Sequence, residues 1–103
     1  MRIPHHPERE QIELAAVLYA LSDPTRLEVV RRLAEVPEQA CGTFDLPATK
    51  ATLSHHFKVL REAGITLTRV EGVYRFIRLR REDLEARFPG LLQAVLKAAR
   101  TRP

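Results

Sequence analysis

The sequence contains one cysteine, Cys41, and no tryptophan among its 103 residues. A single cysteine cannot form an internal disulfide, so nothing in the chain requires an oxidising compartment. No run of apolar residues approaches the length of a membrane span. The first seven residues lack the apolar stretch of a secretory signal. These absences exclude a disulfide-stabilised scaffold and predict a cytoplasmic protein without a membrane partner.

The sequence also lacks a glycine-rich nucleotide-binding loop, and its 4 glycines are dispersed. It contains no recognisable set of a nucleophile, a general base and a group that orients the base. Ser54, His55 and His56 are adjacent, but consecutive residues of a helix point in different directions. We therefore expect no enzymatic activity and no cofactor.

Basic residues outnumber acidic ones, with 17 Lys and Arg against 13 Asp and Glu and a formal charge of +4. This balance favours a polyanionic partner, of which nucleic acid is the commonest. Hydrophobic residues make up 45% of the chain, which is typical of a globular domain. Because prolines interrupt the first residues, we predict a flexible N-terminal arm over 1–7 and a single domain over 8–103.

Helical periodicity begins at Glu8 and predicts a first helix with two adjacent apolar stripes. An apolar surface this wide indicates contact with the chain's own core on one side and with another subunit on the other. The two stripes consist of Ile12, Ala15, Ala16 and Tyr19, and of Leu14, Val17, Leu18 and Leu21.

A second helix is predicted from Thr25 to about Val36, because Asp23 is a good N-cap and Pro24 suits the first helical position. Pro37 then ends this helix. Its periodicity directs four apolar side chains inward, namely Leu27, Val30, Leu33 and Ala34. Four charged side chains are expected to face solvent, namely Arg26, Arg31, Arg32 and Glu35.

A third long helix is predicted over Lys50–Ala63, with Thr49 as its N-cap and Gly64 as its stop. Before it, Gly42 and Pro47 limit any helix in residues 38–48 to a turn or two.

Alternating apolar and polar residues over 65–70 and 73–79 predict a β-hairpin with Glu71-Gly72 at its tip. A last helical region runs from about Arg81 to Arg100 and is interrupted at 88–90. The order of elements predicts a mainly α fold with a β-hairpin wing, which is the winged helix-turn-helix arrangement.

The helix from Lys50 to Ala63 has two chemically different faces at about 100° per residue. Its apolar face carries Leu53, Phe57 and Leu60, with His56 nearby. Small and polar side chains on the other side let a backbone approach base edges, and lysines bind phosphates. This pattern predicts a recognition helix for the DNA major groove. The outward residues are Ala51, His55, Lys58 and Glu62, with Lys50 and Ser54 towards one edge.

Three segments resemble the ArsR/SmtB family of bacterial winged-helix repressors. They are Leu21-Ser-Asp-Pro-Thr-Arg-Leu-Glu-Val-Val-Arg-Arg-Leu33, Thr52-Leu-Ser-His-His-Phe-Lys-Val-Leu-Arg-Glu-Ala-Gly-Ile65, and the hairpin with Glu71-Gly72 at its tip. The resemblance implies a sequence-specific transcriptional regulator, a repressor, that binds double-stranded DNA as a homodimer. It further implies that the first and last helices form the dimer and that two recognition helices enter successive major grooves of an inverted repeat.

In the family, the DNA-reading positions correspond to Lys50, Ala51, Ser54 and His55. We expect the DNA-binding residues to be Lys50, Ala51, Thr52, Ser54, His55 and Lys58 of the helix and Arg69 and Arg75 of the wing.

Some charged residues in or near this set also fit a simpler interpretation than DNA binding. Lys58, Arg61 and Glu62 also fit a plain solvated face, and Arg78 is expected nearer the body than Arg69 and Arg75. Arg75 is the preferred wing contact. His56 is expected to be partly buried and bonded to a neighbouring group.

Both metal sites known in the family are expected to be absent. One uses a Cys-Val-Cys pair where this chain has Ala40-Cys41-Gly42, and a lone thiolate cannot make a thiol-rich site. The other uses Asp and His pairs on the last helix, but no histidine follows His56. The remaining metal candidates are His5, His6, Glu8 and Cys41, and a plain arm without any ligand role is the simpler interpretation.

The controlling signal is left open by the sequence. A small molecule, a protein partner or the abundance of the regulator itself fits the missing ligands. Two alternative functions are a winged-helix module for protein–protein assembly and a metal-responsive regulator with an atypical N-terminal histidine site.

Overall fold

The computed structural model describes residues 4–100, and Met1–Ile3 of the predicted arm lie outside the described residues. Single 3-10 turns occupy Arg9–Gln11 and Cys41–Thr43. The helices and strands are α1 (Leu14–Leu21), α2 (Pro24–Leu33), β1 (Gln39–Ala40), α3 (Lys50–Glu62), β2 (Thr66–Glu71), β3 (Tyr74–Leu79), α4 (Arg81–Arg87) and α5 (Leu91–Arg100). Five helices with a three-stranded antiparallel sheet confirm the predicted mainly α winged-helix fold.

The first helix begins later than predicted, at Leu14 instead of Glu8. The Gln11 side chain accepts a hydrogen bond from the Glu8 backbone N–H at 2.8 Å, which closes the first 3-10 turn. The chain then becomes extended at Ile12, with φ −73° and ψ 122°. Ile12 therefore leaves the predicted helical stripe and lies in the core with 1% of its surface exposed.

Helix α2 follows its predicted N-terminal signals, since the Asp23 carboxylate accepts a hydrogen bond from the Arg26 backbone N–H at 3.0 Å. The helix ends at Leu33, about one turn before the predicted Val36. The expectation that the Arg26 side chain faces solvent is wrong, because only 6% of this residue is exposed. Its guanidinium is buried because backbone carbonyls at the end of α1 accept its hydrogen bonds.

Local signals fix both ends of α3. The Thr49 hydroxyl accepts a hydrogen bond from the Thr52 backbone N–H at 3.1 Å. At the other end Gly64 has φ +88°, a conformation that side chains rarely adopt. A Cβ atom at Gly64 would lie 2.5 Å from Cγ1 of Ile12, so the α3–β2 corner packs directly on the segment before α1.

The sheet has the order β1-β3-β2, and the hairpin pairs Glu71 with Tyr74 and Thr66 with Leu79. Gly72 is the first residue of the two-residue turn and has φ +60°, as a type II′ turn requires. Strand β1, which the sequence did not indicate, pairs Gln39 with Ile77.

One core holds the helices and the sheet together. Apolar side chains from every helix, from β3 and from Ile65 just before β2 contribute to it, and Phe44 closes it beside α3. No helix within residues 4–100 is long and apolar enough to cross a membrane. The largest side chains with under 2% exposure are Ile12, Val17, Val29, Val30, Leu33, Leu60, Ile65 and Ile77.

Two residues of the predicted arm are bonded to the body of the domain. The Thr68 backbone N–H of β2 donates to Nε2 of His6 at 2.9 Å. The Arg80 guanidinium donates to the Pro7 carbonyl at 2.7 Å. These bonds attach the described part of the arm to the wing and to the start of α4.

Candidate nucleic-acid interface

Helix α3 turns one polar face to solvent and one apolar face to the core. On the inner side Leu60 and His56 are buried, and the Phe57 ring lies 5.3 Å from that of Phe44. The predicted DNA-binding residues of this helix are all exposed and share the outer side, namely Lys50, Ala51, Thr52, Ser54, His55 and Lys58.

Three exposed polar side chains of α3 have no hydrogen bond or ion pair within residues 4–100. Those of Lys50, Ser54 and His55 make no hydrogen bond or ion pair there, whereas the Thr49 hydroxyl donates to the Thr52 hydroxyl at 2.8 Å. The first turn of α3 has no acidic residue. The positive end of the helix dipole therefore adds to the lysine charge and favours an anion such as phosphate.

The two wing arginines in the predicted set have different surroundings. Arg69 donates to Glu38 at 2.7 Å and to Glu71 at 3.1 Å, and its guanidinium lies 4.5 Å from the centre of the Phe76 ring. The two carboxylates raise the pKa of Arg69, Glu38 first. Arg75 is exposed and has no hydrogen bond or ion pair with the described residues. Of these two arginines, Arg75 is the one that is available to a ligand.

Strand alternation also separates these arginines. In the hairpin register Arg75 pairs with Val70, and Arg69 pairs with Phe76. Arg75 therefore shares a face of the wing with the buried Ile77, and Arg69 lies on the opposite face.

A groove of about 850 Å³ separates the start of α3 from the wing. Arg61 also lines it, and its Nε atom is buried without a hydrogen-bond partner in the described structure. From the sequence, Arg61 fitted either a plain solvated face or a role in DNA binding, and it lies two helical turns after Ser54 on the same flank. The groove is lined by three cations, Lys50, Arg61 and Arg75, and by one carboxylate, Asp45.

The predicted metal candidates do not form a cluster. Within residues 4–100, no group of three His, Cys, Asp or Glu side chains is arranged to hold a metal ion. Nε2 of His6 is occupied by the Thr68 amide. Burial, Arg61 and Arg80 lower the pKa of His6 below its ordinary value of 6.5. Cys41 lines the groove, and burial raises the pKa of its thiol.

The expectation for His56 is confirmed, since this residue is 8% exposed and bonded to a neighbour. Its Nδ1 atom lies 3.2 Å from Nη1 of Arg26. This bond joins α3 to α2 directly behind the exposed His55.

An apolar surface on α1 lies apart from the α3 face. Leu14, Leu18 and Tyr19 are 46%, 47% and 65% exposed. On α5, the side chains of Leu91, Leu92 and Val95 are half-buried. The first helix thus buries Val17 and Ala20 in the core, packs Leu21 against it, and leaves Leu14, Leu18 and Tyr19 largely uncovered.

Three comparisons with known proteins agree with this geometry. A profile described as "Bacterial regulatory protein, arsR family" matches residues 23–66, which span α2 to the start of β2. The chain is 37% identical over 84 residues to the uncharacterized HTH-type transcriptional regulator YceK of Bacillus subtilis, covering 79% of this chain and 84% of the relative. It is 39% identical over 93 residues to the biofilm growth-associated repressor of Agrobacterium fabrum, covering 88% and 78%.

A solved structure has the same architecture. The ArsR-like transcriptional regulator from Rhodococcus sp. RHA1 superposes with a TM-score of 0.65 at 25% identity, covering 84% of this chain and 83% of that one. The winged-helix fold, the exposed polar face of α3 and these sequence relatives lead to one assignment. The chain belongs to the arsR family of bacterial regulatory proteins and is a DNA-binding regulator of transcription.

Proposed function

We propose that the protein is a homodimeric repressor that binds an inverted-repeat operator with α3 in the major groove. The observation that carries this proposal is the outer face of α3, where Lys50, Ser54 and His55 are exposed and unpartnered within the described residues. Hydroxyl and imidazole groups can read base edges, and lysine binds phosphate. Ala51 leaves room for the helix backbone to approach the bases.

The wing and the groove support the proposal from a second direction. Lys50, Arg61 and Arg75 line the same groove, so one DNA strand that follows it would meet three cations. We assign Arg75 to the phosphate backbone or to the minor groove beside the reading helix. Arg69 has a secondary role in DNA binding, because Glu38 and Glu71 already neutralise its charge.

The dimer is proposed from the uncovered apolar surface of α1. Leu14, Leu18 and Tyr19 form an exposed apolar surface on α1. A symmetric dimer through α1 and α5 buries that surface and sets two α3 helices about one turn of DNA apart. The effector is proposed to be a small molecule or a protein partner.

The test is operator binding by a variant without the two reading side chains. An operator is selected from random-sequence DNA, and its affinity is measured by fluorescence anisotropy for wild type and for Ser54→Ala/His55→Ala. A lost base contact costs about 1–3 kcal/mol, so the specific affinity is expected to fall by about tenfold or more per contact. Glu62→Gln, an exposed change at the far end of α3, is the control and is expected to retain operator binding. Unchanged operator affinity in a folded double variant would contradict the assignment of α3.

A further inference from the structure

A buried arginine joins three helices behind the proposed reading face. Arg26 belongs to α2, and its Nε donates to the carbonyl of Ala20 in α1 at 2.7 Å. Its Nη2 donates to the carbonyl of Tyr19 at 3.4 Å, and its Nη1 reaches Nδ1 of His56 in α3 at 3.2 Å. The side chain makes no ion pair with a carboxylate in the described structure, so its charge is met by these dipoles and by the Tyr19 ring, whose centre lies 5.4 Å from Cζ of Arg26.

The chemistry of arginine determines the state of His56. A guanidinium only donates hydrogen bonds, so Nδ1 of His56 must accept and cannot carry a proton. A neutral His56 ring that accepts this bond carries its proton on Nε2. That atom faces Oδ2 of Asp23 at 3.9 Å, which is beyond hydrogen-bond length. The other titratable ring nearby is His55, with ring centres 6.1 Å apart.

Protonation of His56 would break this arrangement. An imidazolium has no lone pair for Arg26, and it would place two cations 3.2 Å apart at a buried site. The only facing carboxylate among the described residues is Asp23, so a protonated ring gains by moving towards it. Such a movement takes the bond away from Arg26 and shifts α3 beside Ser54 and His55.

We propose that Arg26 is a positioning residue that acts through neutral His56 to fix the reading helix relative to the apolar helix α1. This inference rests on the proposed reading role of α3. Because Arg26 holds the end of α1 and the middle of α3 at one point, it links the surface of the proposed dimer to the reading face. Acidification is then expected to weaken operator binding through His56.

The first test is NMR of the ¹⁵N-labelled histidine rings in the full chain without DNA. At neutral pH the His56 ring is expected to carry its proton on Nε2 and to show an unprotonated Nδ1. In Arg26→Lys, which keeps the charge but lacks the planar fork, the signal of Nδ1 is expected to move. A proton on Nδ1 of His56 in the wild type would overturn the proposal. This readout does not depend on which surface binds DNA.

The second test is operator affinity between about pH 8 and pH 5, where histidine changes its charge. His56→Gln retains an oxygen acceptor for Arg26 but does not titrate. At neutral pH we expect this variant to bind the operator like the wild type. On acidification, we expect the factor by which its operator affinity falls to be about tenfold smaller than the factor for wild type. His55→Gln is the matched control and is expected to keep the acid loss, since protonation of the exposed His55 would itself favour DNA.

The outcomes separate this proposal from the proposed function. If His56→Gln and wild type have the same pH profile, His56 does not transmit the pH effect and the proposal is wrong. If His56→Gln does not fold, operator affinity is measured for Arg26→Lys instead, and circular dichroism checks that this variant is folded. Arg26→Lys is expected to keep its fold and to lose operator affinity. Full operator affinity in folded Arg26→Lys would also overturn the proposal. Failure of the proposed function shows instead in Ser54→Ala/His55→Ala, whose operator affinity would remain unchanged.

Discussion

His6 illustrates how one side chain protects an exposed strand. Strand β2 is at the edge of the sheet, and His6 accepts a hydrogen bond from its Thr68 amide. Edge strands with free amides tend to pair with other chains, so a side chain that covers such an amide also reduces association. Only the neutral ring can accept this bond.

The His6 contact predicts a pH-dependent stability. Because the folded-state pKa of His6 lies below 6.5, the folded protein binds this proton less readily than the unfolded chain. The contribution is present above pH 6.5 and is lost as the pH falls from there through the lowered folded-state pKa. The protection factor of the Thr68 amide, which corrects for slower intrinsic exchange in acid, is expected to fall over that range. His6→Gln should abolish this fall and His5→Gln should retain it; the same fall in both variants would exclude His6 as its cause.

Two of the wing arginines, Arg69 and Arg75, are expected to have different effects on DNA binding. Arg75→Ala removes a partner-free cation and is expected to weaken binding to all DNA sequences and to reduce the salt slope by about one. Arg69→Ala removes a guanidinium that Glu38 and Glu71 already pair, so its effect on the salt slope is expected to be smaller. Anisotropy titrations at several salt concentrations measure both slopes. A larger slope change in Arg69→Ala would reverse the assignment of the wing contact.

At the scale of single residues, sequence reasoning succeeded where a helix has one clear face. The exposure of Ser54 and His55 and the burial of His56 follow from their positions on α3 alone. The burial of Arg26 does not, because its acceptors come from α1 and α3 and a single-helix pattern cannot show them. The ion pairs of Arg69 depend likewise on Glu38, which is 31 residues away in sequence.

At the scale of elements, caps and turn glycines account for most of the predicted boundaries. Thr49 and Gly64 delimit α3, and Gly72 places the hairpin turn, because these signals act within a few residues. Two elements were not predictable in this way. The start of α1 is displaced by the turn at Glu8–Gln11, and β1 is a two-residue strand that exists only through its pairing with β3.

The corner between α3 and β2 gives a prediction for stability. Gly64→Ala places a methyl group 2.5 Å from Ile12 in a backbone conformation with φ +88°. We expect a loss of about 1–3 kcal/mol in the free energy of unfolding, measured by urea denaturation. Gly42→Ala is the control, because Gly42 has an ordinary φ and no atom within 4 Å of the added carbon. Equal stability of the two variants would show that the corner is not constrained.

At the scale of the whole molecule, the structure separates an apolar surface on α1 from a cationic groove beside α3. The winged-helix fold could be predicted because the order of periodic segments and turns specifies it. The proposed pairing of subunits rests on the width of the apolar stripe and on the family resemblance, because the described residues belong to one subunit. Lys50, Arg61 and Arg75 line one groove, so part of the basic charge behind the net value of +4 is concentrated beside α3.

The apolar surface predicts the oligomeric state. Leu18→Glu places a charge on the exposed surface of α1 and is expected to shift the protein from dimer to monomer without loss of helix content. Operator affinity is expected to fall with it, because two linked half-sites bind more tightly than one. Analytical ultracentrifugation measures the mass. Val73→Glu, an equally apolar and 87% exposed position on the wing, should leave the mass unchanged; a dimeric Leu18→Glu would place the interface elsewhere.

The central claim is that the exposed face of α3 reads bases in the major groove, and a cycle between protein and DNA substitutions tests it most directly. Each guanine of the selected operator is replaced in turn by 7-deazaguanine, which lacks the major-groove acceptor N7, and each thymine by uracil, which lacks the methyl group. Affinities are measured for wild type, Ser54→Ala and His55→Ala. At least one base change is expected to be costly for wild type and nearly neutral for one of these variants, with a coupling of about 1 kcal/mol or more. Strictly additive effects at every operator position would contradict it.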